Sequence, residues 1–114
     1  MVRMTIAGQK WGPRRTAQAA FQAQIVTPGW LPFFVEIRLP DPDSDAPEVI
    51  RKEIAKDSHF IEALGKPRSG WVDGTTYQYE IRIYSDQSYS QLLDSLEQPS
   101  VCYRPPNDVL DRLK

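Results

Sequence analysis

Residues 75–84 read TTYQYEIRIY. Tyr77, Tyr79, Ile81 and Ile83 alternate with Thr76, Gln78, Glu80 and Arg82. A period of two, filled with aromatic and β-branched residues, marks a strand with one buried face. A helix would scatter the same apolar residues around its circumference. A strand of this kind needs sheet neighbours and a cover for its apolar side, and the rest of the chain is read for segments that supply them.

A second strand is expected over residues 31–39, where Phe33, Val35, Ile37 and Leu39 alternate with Phe34, Glu36 and Arg38. The preceding segment, TAQAAFQAQIVT over 16–27, suits a helix by its alanines and glutamines. It also suits a strand, with Phe21, Ala23 and Ile25 on one face. Pro28-Gly29 is a turn signal and tips the reading toward a hairpin over about residues 20–39. If the strands at 31–39 and 75–84 are neighbours, Glu36 falls opposite Arg82 and Glu80 opposite Arg38, as cross-strand ion pairs. Val2, Met4 and Ile6 alternate with Arg3 and Thr5, so residues 1–15 read as a short strand or a mobile start. Residues 104–114 read as a tail in which Asn107 caps a last turn through Val109, Leu110 and Leu113.

Two helices are expected to cover the sheet. Asp45 and Glu48 make a capping-box pattern, Pro47 sits in a first turn, and Val49, Ile50 and Ile54 give a stripe. Ser58 caps a continuation through Phe60, Ile61 and Leu64, with Gly65 as the stop, so the segment spans 46–64. Ser88 and Gln91 open a second helix over 88–97, with Tyr89, Leu92, Leu93 and Leu96 at helical spacing and Pro99 beyond its end. The expected fold class is α+β: one domain over 1–114, a small and mostly antiparallel sheet, and two covering helices.

The chain has 114 residues, 40% apolar and 25% charged, with a net charge of -1. This suits one globular domain and gives no global signature of a nucleic-acid binder. One cysteine, Cys102, allows no internal disulfide and fits a reducing, cytoplasmic setting. No run approaches the roughly 18 apolar residues of a membrane span. The opening MVRMTIAGQKWGPRR has no apolar core of a secretion signal.

No motif names a reaction. Asp41, Asp43 and Asp45 resemble the start of a calcium loop, but Ala46 stands where that loop needs glycine and Lys52 where it needs glutamate. One histidine and one cysteine give no zinc spacing, so no metal is expected. GKPRSG lacks the phosphate-loop pattern, so no cofactor is expected. A small enzyme using His59, with Cys102 or nearby carboxylates, is the weakest of three readings. The leading reading is a non-catalytic module that binds another protein or a second copy of itself through Phe34, Trp30 and Tyr84, aromatic residues that break the polar pattern of their surroundings. The alternative is nucleic-acid binding by two basic loops: Lys10, Trp11, Arg14 and Arg15 in 10–15, and Lys66, Arg68 and Trp71 in 66–71. It requires the loops to meet in space.

Overall fold

The strand expected at 75–84 forms, and it lies inside a sheet. The computed structural model describes residues 2–25, 32–54 and 60–113. Among them are seven strands: β1 (Val2–Trp11), β2 (Ala17–Ile25), β3 (Phe33–Leu39), β4 (Glu48–Ile54), β5 (Phe60–Leu64), β6 (Thr76–Tyr84) and β7 (Leu92–Val101). One short helix, α1 (Asn107–Leu110), follows them, and a 3₁₀ turn at Pro13–Arg15 joins β1 to β2. The strands make two antiparallel sheets, ordered β1-β2-β5 and β4-β3-β6-β7.

The sheets face each other across one core. β2 supplies Ala17, Ala19, Phe21, Ala23 and Ile25, and β5 supplies Ile61 and Ala63. The facing sheet supplies Phe33, Val35, Ile37 and Leu39 from β3, and Tyr79, Ile81 and Ile83 from β6. Small residues on β2 lie opposite large ones on β3 and β6, which lets two layers about 10 Å apart interdigitate. The Phe21 and Tyr79 rings meet edge to face at 6.3 Å. Tyr79 then reaches through to the other sheet, where its hydroxyl donates to the Gly8 carbonyl at 3.2 Å and accepts from Gln9 Nε2 at 3.2 Å.

The expected α+β fold with two covering helices is therefore corrected to an all-antiparallel β-sandwich. Residues 46–64 hold β4 and β5, and 88–97 hold a loop and the start of β7. At β4 the decisive pattern is Ile50 and Ile54 on the inner side with Val49, Arg51 and Glu53 outside. The strand lies at a sheet edge and buries only one narrow row, so charges outnumber apolar residues and the alternation is faint. At β7 the helical spacing of Leu92, Leu93 and Leu96 loses to pairing with β6, from Thr76↔Val101 to Tyr84↔Leu92. Pro99 lies within that edge strand, where a missing N–H is tolerated. In place of a helix cap at Ser88, Asp86 anchors the loop between β6 and β7. Its carboxylate accepts from the backbone N–H groups of Ser90 and Gln91.

The expected hairpin over 20–39 is also corrected. Both strands exist, but β2 pairs with β1 and β5 while β3 pairs with β4 and β6. The chain changes sheet after β2, after β4 and after β5, so the neighbouring pairs β2/β5 and β3/β6 interlock. The Pro28-Gly29 turn lies outside the described residues. Within the second sheet, Glu36 does stand opposite Arg82 and Arg38 opposite Glu80. At the two ends, residues 2–11 form β1, and the tail is tied back by Arg15, whose guanidinium donates to both carboxylate oxygens of Asp111 at 2.8 and 3.0 Å.

Burial pushes the Tyr79 hydroxyl up to about 12, against the donation from Gln9. An unfolded tyrosine ionises near 10, so this residue's contribution to stability is complete below pH 10 and is lost as the pH rises toward 12. Tyr79→Phe is expected to remove the hydroxyl's two hydrogen bonds, to cost about 1 kcal/mol in urea unfolding, and to flatten that alkaline loss.

Candidate interaction surfaces

The outer face of the four-stranded sheet has an aromatic corner. Phe34 on β3 stands directly across from Tyr84 on β6, and Tyr84 pairs in turn with Leu92 on β7. The β6–β7 loop folds Tyr89 back over them. Its ring centroid lies 5.9 Å from that of Phe34 and 5.4 Å from that of Tyr84, both edge to face. The Arg51 guanidinium covers Tyr89 at 4.7 Å. Tyr89 has a left-handed backbone, with φ 56°, which costs a non-glycine residue about 1 kcal/mol and is held by the Asp86 turn.

This arrangement redistributes the expected contact residues. Phe34 is 8% exposed and Tyr84 7%, so they form the floor of the corner. Half-buried Tyr89 and Leu92, which is 55% exposed, present its surface. Trp30 lies outside the described residues. Tyr89 and Leu92 were hidden from sequence reasoning because their spacing imitates a helix. The bulge where Ile83 and Tyr84 pair with Asp94 and Leu92 is what brings Leu92 opposite Tyr84.

Beside the corner runs a ladder of charges. Glu36 is 3% exposed because two arginines close over it. Arg51 donates from Nε and Nη2 to one carboxylate oxygen at 3.2 and 3.0 Å, and Arg38 donates to the other at 3.2 Å. Glu80 continues the ladder, 3.7 Å from Arg38 and 3.1 Å from Arg82. Burial alone would push the Glu36 carboxyl up, but Arg51 and Arg38 outweigh it and hold the group below its ordinary value. The proline-rich turn at 40–47 walls a hollow of about 390 Å³ at the far end of the ladder.

The two basic loops do meet. Ala17 and Arg68 exchange both backbone hydrogen bonds at 2.9 Å. Three of the seven candidate residues there are occupied structurally. Trp71 is 2% exposed, donates its indole N–H to the Ala17 carbonyl at 2.9 Å and packs edge to face on Tyr77. Arg15 holds Asp111, and Arg68 lies 3.3 Å from Asp41 and 3.4 Å from Glu48. Lys10, Arg14 and Lys66 are exposed, and Trp11 is half-buried at the sheet edge. Tyr103 and Arg104, which no sequence signal tied to these loops, pack beside Trp11.

The remaining chemistry is sparse. Cys102 is buried, and its surroundings push the thiol above its ordinary value. His59 lies outside the described residues. Among the described residues no three histidine, cysteine or acidic side chains gather where they could hold a metal ion. No helix of the described residues is long and apolar enough to cross a membrane. The free sheet edges are guarded: Lys52 Nζ donates to the Glu62 carbonyl of β5, Pro99 interrupts β7, and β1 carries a bulge between Ile6 and Gly8.

Glu36→Gln is expected to lower stability by about 2 kcal/mol at neutral pH, because two arginines lose a buried charge partner. In the parent chain the depressed carboxyl stabilises the fold above its ordinary range and stops doing so as acid protonates it. The variant is therefore expected to lose less stability between neutral pH and pH 3 in denaturant titrations. No protein-family model, no curated protein and no solved structure matches this chain.

Proposed function

We propose that this chain is a non-catalytic protein-interaction module, acting as an adaptor, a regulatory subunit or a small homo-oligomer. The corner of the four-stranded sheet is its contact surface. One observation supports this most: Tyr89 and Leu92 stand outward on a prebuilt aromatic floor of Phe34 and Tyr84, with Leu93 also exposed nearby in the chain. Tyrosine and arginine are favoured in the buried centre of protein interfaces, and Arg51 already stacks on Tyr89. The adjoining charge ladder fixes its side chains in advance, which lowers the entropy lost when a partner covers them. The guarded sheet edges favour contact through a face over strand addition.

Phe34→Ser is a poor probe of this reading, because removing a buried ring from the floor will itself destabilise the sheet. Leu92→Asp places a charge on the exposed part of the corner and leaves the floor intact. It is expected to abolish capture of a partner from native extract, or concentration-dependent dimerisation in sedimentation equilibrium, while the far-ultraviolet circular dichroism stays unchanged. Val72→Asp, at an exposed site away from the corner, is expected to keep both. Equal binding by the two variants would remove the corner from the function.

A further inference from the structure

The turn between β1 and β2 carries more positive charge than the fold uses. Of the acidic groups near it, Asp111 is paired by Arg15, Asp41 and Glu48 share Arg68, and Glu62, which lines a hollow with Lys10, accepts from Gln22. Lys10, Arg14 and Lys66 remain exposed, and none of the three side chains enters an ion pair among the described residues. Lys10 and Arg14 line one hollow of about 440 Å³ together with Pro67, the neighbour of Lys66. Where β1 runs beside the end of β7, Trp11 and Tyr103 line a second hollow of about 300 Å³. The Trp11 indole N–H donates to the Tyr103 carbonyl at 3.2 Å, and the Arg104 guanidinium sits 5.7 Å from the Trp11 ring. The Tyr103 side chain stands in solvent, 71% exposed.

We propose that this end of the sandwich binds single-stranded nucleic acid. Lys10, Arg14 and Lys66 take backbone phosphates, and a base stacks on Tyr103 beside Trp11. Exposed cations without an ion-pair partner answer to a polyanion, and an exposed ring beside Trp11, the residue that follows Lys10, answers to an unpaired base. A duplex keeps its base faces stacked inside, and an acidic peptide uses the cations but not the ring. The site is separate from the aromatic corner, so either can fail without the other.

The test is fluorescence anisotropy of the full chain with a labelled oligothymidylate and a labelled single-stranded RNA. A duplex of the same length and polyglutamate serve as competitors. Binding to the single strands is expected to fall with salt at a log–log slope of about -2, at roughly -0.7 per phosphate for three contacts. Tyr103→Ala, at an exposed site, is expected to weaken binding about fivefold or more with an unchanged melting temperature. The double variant K10E/R14E is expected to abolish binding. No binding at low salt overturns the proposal. So does equal competition by duplex or polyglutamate, or an unchanged affinity in Tyr103→Ala, each of which reduces the site to a polyanion-attracting surface.

Discussion

The structure depends on the hydrogen-bonding demand of β6. Its inward residues Tyr79, Ile81 and Ile83 bury it completely on one face, and a buried backbone must have partners along both of its edges. β3 supplies one edge and β7 the other. Once β7 is committed there, residues 92–101 cannot be helical, whatever their leucine spacing. The other edge of β3 is taken by β4, so β2 has no place beside it in the same sheet and lies in the other layer. There Phe21 meets Tyr79, and the core closes.

The strongly alternating segments were legible as sequence. The β6 and β3 strands lie where their periodicity puts them, and even their register follows from the charges at Glu36, Arg38, Glu80 and Arg82. The edge strands were not legible. Capping-box patterns at Asp45/Glu48 and Ser88/Gln91 are local signals, while β4 and β7 are strands because of partners distant in sequence. A narrow, half-buried row such as Ile50 and Ile54 leaves little alternation to detect. Sheet membership was equally hidden, since nothing in Pro28-Gly29 distinguishes a hairpin from a crossing.

The same limit applies to the surfaces. Phe34 and Tyr84 were identified as aromatic residues on a polar face, and they are. That Tyr89 would fold back and cover them depends on a left-handed residue in a loop anchored by Asp86, which no periodicity announces. The basic loops form a pair in sequence with nothing to say that they meet; the Ala17–Arg68 bridge ties the second loop to the start of β2, just past the first, and both line one hollow. Trp71 looked the same as Trp11 in sequence. One seals the core against Ala17, and the other lies half-open at the edge of β1.

Cys102 gives the molecule a built-in clock. Its backbone is clamped by exchange with the turn before β6, accepting from Gly74 N at 2.9 Å and donating to Thr75 O at 2.8 Å, while its sulfur is shut in the core. A thiol reagent has no access until that clamp releases. The speed at which the lone thiol is alkylated in the native state therefore measures how often this seam breathes, without any added label.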